Sequence, residues 1–159
     1  MSTIDIDFKS TYFQHPSLTK IYGEPTYQSL QKLYKEIKAN ATTVTSLLGG
    51  GLNGYLGLVV TDVAYARTVA NDPFVRPAHP GVLTIADTAT QYQIAIAKDL
   101  HETAHKTFKE CNLLEKTLIQ QLKEAIHPDY LEALTDDDTG IITGTIPEVM
   151  QYLFETSVT

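Results

Sequence analysis

The sequence predicts an all-α, single-core bundle of roughly five to six helices around one long central helical stretch, with an extended N-terminal arm. Three observations predict it. The run from Thr88 to Ile126 holds no Gly or Pro, longer than any other such run in the chain. Apolar residues recur at steps of three and four rather than two, in three separate segments. Side chains able to cap a first helical turn stand where these segments begin.

Residues 1–23 are expected to form the arm, and residues 24–159 the helical domain. In the arm Ile4, Ile6 and Phe8 alternate, as in a short edge strand, and Tyr12, Phe13 and Pro16 follow. Pro25-Thr26 opens the first helix, in which Leu30, Leu33, Tyr34, Ile37, Ala41, Val44 and Leu48 make one apolar face. Lys32, Lys35, Glu36 and Lys38 fall on its wet side, and the helix should run to about Ser46. Gly49-Gly50-Gly51 stops it. The apolar run from Tyr55 to Val60 is then either a buried connector or an exposed, sticky segment. Thr61 caps a short helix to about Ala70, with Asp62 in its first turn. Pro73, Pro77 and Pro80 make the next stretch a stiff loop.

The central stretch has Tyr92, Ile96, Leu100, Ala104 and Phe108 in one register, and Leu114, Leu118, Leu122 and Ile126 in another. Thr88 with Gln91 has the form of a capping box. The change of register near Cys111-Asn112, with Asn112 and Glu115 resembling a second start, predicts a bend or break there. His127-Pro128 ends the run. A short helix from Asp129 to Leu134, a TDDDTG turn and a last helix complete the chain. The last helix starts at Thr145 with Glu148 and buries Ile146, Val149, Met150 and Leu153.

Composition narrows function. A chain of 159 residues suits one domain and can bury roughly 70% of its unfolded surface. Net charge is −7, and Arg67 and Arg76 are the sole arginines, so this segment is a poor electrostatic grip for nucleic acid. One cysteine, Cys111, excludes an internal disulfide. The first residues have neither the basic nor the apolar part of a signal peptide, and no apolar run approaches a membrane span. A soluble, cytoplasmic protein without membrane contact is the expectation.

Four short motifs carry chemistry in other settings. Gly49, Gly51 and Gly54 spell G-x-G-x-x-G, but a dinucleotide fingerprint follows a strand and opens a helix, and here a helix precedes it. Asp136 to Gly140 has calcium-loop composition with the wrong spacing. Asn40-Ala41-Thr42 is a glycosylation sequon inside a predicted helix. His101-Glu102-Thr103-Ala104-His105 matches the H-E-x-x-H of zinc hydrolases, making His101 and His105 remote candidates for metal binding. A third ligand is missing: Cys111 stands at the required interval, yet lies about 240° around a continuous helix from His105. Two histidines flanking an apolar stripe is the simpler reading. No cofactor, metal or catalytic residue is assigned, and the chain reads as a non-enzyme.

As a set, several segments resemble one family. The order LTKIYGEPTYQSLQKLYKEIKANA, LLGGGLNGYLGLVV, PFVRPAHPG, KECNLLEKTLIQQLKEAI, PDYLEALTDDDTG and TGTIPEVMQYLFET is similar to the N-terminal capsid region of Gag from copia-type LTR retrotransposons. The resemblance covers Leu18 to Glu155. It implies a non-catalytic, all-helical capsid lobe that self-associates into a shell or filament, a virus-like particle around the element's RNA. Contact with that RNA would belong to a basic or zinc-knuckle region further along such proteins. The alternative is a domesticated Gag-derived adaptor that binds a protein partner. Apolar side chains outside the predicted helices are the candidate assembly contacts: Phe8, Tyr12 and Phe13 in the arm, Leu52, Tyr55 and Leu56 in the glycine-rich passage, and Phe74, Val75 and Val82 in the proline-rich loop.

Overall fold

The computed structural model describes residues 8–44, 54–68 and 75–157. They form an all-α fold with five α-helices and no strand: α1 (Phe8–Thr11), α2 (Tyr27–Thr43), α3 (Asp62–Thr68), α4 (Gln91–Ala125) and α5 (Ile146–Thr156). Short 3-10 turns at Leu56–Leu58, Pro128–Tyr130 and Glu132–Leu134 fill the connections. Thus the predicted helix from Asp129 to Leu134 is two 3-10 turns, the first with Pro128 in its opening turn. An isolated Thr135–Ile142 bridge closes the acidic turn between them and α5.

The starts of the three longer helices share one chemistry. In each, a Thr hydroxyl accepts the N–H three residues on, and that residue's side chain reaches back: Thr26 with Ser29, Thr90 with Gln93, Thr145 with Glu148. For α4 the box falls two residues later than expected. Thr88 and Gln91 fit the same pattern, but the Ala89 N–H is already committed to the Ala86 carbonyl in a turn, so the helix begins after it.

α2 packs on both α4 and α5, and one core runs between them. Its floor is Leu114, Leu118, Leu122 and Ile126, met by Leu30, Leu33 and Ile37 of α2 and by Ile146, Val149, Met150 and Leu153 of α5. Tyr27 and Tyr34 extend the α2–α5 seam by packing their rings on Phe154.

The N-terminal segment lacks regular helix between 12 and 26, yet it is no free arm. Phe8, Phe13, Leu18 and Ile21 are all part of the core. Polar groups pin the segment as well. Asn40 of α2, fully buried, accepts the His15 N–H at 2.8 Å and donates to the His15 carbonyl at 2.9 Å and to Gln121 Oε1 at 3.0 Å. Gln121 of α4 donates to the Pro16 carbonyl at 3.1 Å. Glu36, expected on the wet face of α2, is instead buried and accepts the Thr19 N–H and hydroxyl at 2.9 and 2.8 Å. Finally the Ile21 N–H meets the Ala125 carbonyl at 2.8 Å, satisfying an acceptor that the end of α4 leaves open. Burial of Asn40 also makes its sequon unreachable in the folded chain.

The passage after the glycines returns to the core. Tyr55, Leu56, Leu58 and Val59 are buried, so the connector reading holds and the sticky-segment reading does not. Gly54 shows why a glycine stands there. Its φ is +52°, and a Cβ would sit 2.6 Å from the Ala41 carbonyl oxygen and 2.8 Å from those of Thr42 and Val44. The last glycine of the G-x-G-x-x-G pattern therefore lets the chain press against the end of α2. Tyr55 then donates its N–H to Ala41 and its hydroxyl to Glu110 of α4 at 2.6 Å.

Candidate functional site

α4 is unbroken. Its 35 residues span about 52 Å, with no break or second start at Cys111-Asn112. The change of register has another cause, which the helical wheel makes plain. At about 100° per residue, Cys111, Leu114, Leu118, Leu122 and Ala125 all fall within about 80° of one another, and this arc is the one buried in the core. His101, His105, Phe108, Asn112 and Glu115 fall in a different arc, centred about 100° away. Phe108 ends the first register because it belongs to that second face.

Residues 75–90 run as a strap along the second face, antiparallel to α4. Arg76 grips the helix near its middle: Nη1 donates to Glu115 Oε2 at 2.7 Å, and Nη2 to Asn112 Oδ1 at 2.7 Å and Glu115 Oε1 at 3.0 Å. Glu115 in turn raises the guanidinium further above its usual range, chiefly by this hydrogen bond. Higher up, His79 stacks edge-on against Phe108 at 5.1 Å and His105 at 5.2 Å between ring centres. Higher still, His101 Nε2 meets the Gly81 carbonyl at 2.7 Å. So Asn112 and Glu115 anchor the strap rather than start a helix, and both histidines of the H-E-x-x-H pattern face the strap.

The core face of α4 outruns the core. Ile96 and Leu114 share a direction, as do Leu100 and Leu118, each pair about five turns apart. Leu114 and Leu118 are fully buried, while Tyr92, Ile96 and Leu100 are 75, 41 and 65% exposed. From Gln91 to Lys106, about 24 Å of helix, the described residues of α4 include no buried side chain. The strap covers the other face, so among the described residues this apolar stripe has no cover. Val75 and Val82 of the strap are 79 and 89% exposed.

The candidate assembly residues therefore divide. Tyr12, Val75 and Val82 are exposed, as an interface needs. Phe8, Phe13, Tyr55 and Leu56 are buried in the core and cannot contact another molecule from there, a correction to the expectation for them. Their apolar character serves folding: loop residues are buried wherever a glycine or a polar clamp turns the chain inward. Leu52 and Phe74 lie outside the described residues. Sequence reasoning missed the stripe of Tyr92, Ile96 and Leu100 as an open face, because the same spacing marks a buried one. It also missed Arg76 and His79, although one of just two arginines beside a histidine in a proline-rich loop was a signal.

Among the described residues no group of three or more His, Cys, Asp or Glu is placed to hold a metal ion. Glu102 forms an ion pair with Lys106 at 3.3 Å rather than facing a site between the histidines. Cys111 is buried, which pushes its thiol up to about 11, so it stays neutral at ordinary pH. A cleft of about 440 Å³ lies beside Lys123, Asp129, Glu132, Asp136 and Asp137, with Leu131 and Ile142 in its wall. No helix among the described residues is long and apolar enough to cross a membrane. No protein-family model matches the chain, and neither a curated protein nor a solved structure is similar to it at a significant level.

Proposed function

We propose that this chain is a non-catalytic, capsid-like structural protein that self-associates in the cytoplasm, as the Gag resemblance implies. One observation carries the reading: the core-facing stripe of α4 continues past the core as Tyr92, Ile96 and Leu100, in water. Fully burying a side chain of this size is worth about 1.5–3 kcal/mol, so the exposed part of each leaves a share of that unclaimed. Three such residues on one projecting helix give a contact far smaller than the roughly 800 Å² per partner of a stable pair. Contacts of that size suit an assembly in which each subunit repeats them with several neighbours. Tyr12, Val75 and Val82 supply further exposed apolar surface. The acidic composition is consistent with a shell-forming lobe that leaves the element's RNA to a basic region elsewhere.

The test is particle size by light scattering, with electron microscopy of the same sample. Rings, tubes or shells are expected for the natural chain, and Ile96→Glu/Leu100→Glu should return it to monomer with its helix content unchanged. A natural chain that stays monomeric at high concentration overturns self-assembly. The same stripe would then serve the domesticated adaptor, laid against a helix of another protein.

A further inference from the structure

We propose that the strap of residues 75–90 is a pH-operated latch, closed on α4 when the imidazoles of His79 and His105 are neutral and released when they are protonated. The inference is independent of whether the chain assembles.

The latch is built around Gly81, held from both sides by histidine. Its N–H donates to His79 Nδ1 at 3.0 Å, and its carbonyl accepts from His101 Nε2 at 2.7 Å. The first bond requires a bare nitrogen. A proton on His79 Nδ1 turns that acceptor into a donor facing an N–H, and the turn at Gly81 loses its closure. The His101 bond does not itself sense pH, since Nε2 already donates, and release has to break it. Repulsion acts in the same direction. The rings of His79 and His105 are 5.2 Å apart, and those of His101 and His105 are 6.3 Å apart.

The surrounding charges do not relieve it. Lys106 and Lys109 of α4 flank His105, and Lys98 lies one and a half to two turns before it. Of the carboxylates on this side of α4, Glu102 is engaged by Lys106 and Glu115 by the strap's Arg76. Glu110 is bonded to Tyr55. Desolvation first, then Lys109, His79 and His101, lower the His105 pKa in the closed form. A lowered pKa means that the closed form binds fewer protons than the open one. Closure is therefore favoured at neutral pH and is lost as pH falls below the ordinary histidine value. Release uncovers Phe108 while Arg76 still tethers the strap to Glu115, so the strap swings from its anchor rather than unfolding the body.

Spin labels at Val82→Cys and Lys98→Cys, both exposed positions, report the latch by electron spin-echo distance. Cys111 is buried and is replaced by Ala to keep labelling clean. Expected is one short distance at pH 7.5 and, at pH 5.5, a longer population at least tenfold greater than at pH 7.5. Helix content by circular dichroism should be equal at both pH values. His105→Phe should abolish the long population at pH 5.5, whereas His79→Phe, which removes the Nδ1 acceptor of the Gly81 N–H at every pH, should show it at pH 7.5 as well. His127→Gln, remote from the strap, should leave it intact. An unchanged distance across this range overturns the proposal. So does unchanged opening at pH 5.5 in His105→Phe, a His79→Phe strap that stays closed at pH 7.5, or a loss of helix in step with opening.

Discussion

The two halves of α4 carry one apolar stripe and meet opposite fates. From Thr107 onward the stripe is the floor of the core, met by α2 and α5. Before Thr107 the same stripe stands in water. Nothing in the spacing separates Leu100 from Leu118; their directions coincide and their residue type is the same. Periodicity reports which face of a helix is apolar, and the cover on that face comes from elsewhere in the chain or from another molecule. The front half also gains little stability of its own, since a short helix alone is marginal in water. Its helicity rests on the Thr90–Gln93 box, the strap's contacts with His101 and His105, and continuity with the packed half.

The largest expected effect breaks this symmetry directly. Leu118→Ala opens a cavity in a fully buried site and should cost about 3–5 kcal/mol in urea unfolding. Leu100→Ala, at the equivalent turn of the front half, should change stability by less than about 0.5 kcal/mol. It should weaken self-association instead. An equal loss from both substitutions in the monomer would mean that the front stripe is already covered, and the proposed contact would fall.

This contrast also explains what could be read from the chain alone. The helical class, the start of α2 at Pro25-Thr26, the cap at Thr145, and the face of α5 with Ile146, Val149, Met150 and Leu153 rest on local chemistry, and local chemistry is legible. The continuity of α4 was not. Phe108 looked like the end of a stripe when it belongs to a second face, and only the strap gives that face a reason. Burial of Phe8, Phe13, Tyr55 and Leu56 was equally hidden. It depends on clamps between residues far apart in sequence, such as Asn40 with His15 and Gln121, and a polar residue announces no partner by spacing.

That clamp yields the next effect in size, and it sharpens the comparison from the packed side. Asn40→Ala removes both bonds to His15 and the one to Gln121, leaving a buried amide group without its partner. A loss of about 2–3 kcal/mol is expected, since an unpaired buried polar group costs more than its bond was worth. Asn40→Asp should not restore it, because a carboxylate cannot donate to the His15 carbonyl. Hydrogen exchange should loosen from Phe13 to Ile21 and in the back half of α4, with the front half unaffected. Loosening of the front half to the same degree would show that the two halves form one cooperative unit after all.

The smallest effect falls on the strap, where it is anchored to the back half. The Arg76–Glu115 pair is bidentate, but its side chains are 41 and 20% exposed, so solvent screens much of the attraction. Arg76→Ala should therefore lower the urea-derived stability by less than about 1 kcal/mol. Its local consequence is larger than its global one. Arg76 joins Asn112 and Glu115, neighbours on the strap face at the start of the back half, and a lysine has no planar fork to hold both. Amide exchange at Gly81 should accelerate to a similar degree in Arg76→Ala and Arg76→Lys, while Leu114 and Leu118 keep their protection. If lysine restores slow exchange at Gly81, the strap is held by charge alone, and the geometry of the fork contributes nothing to its closure.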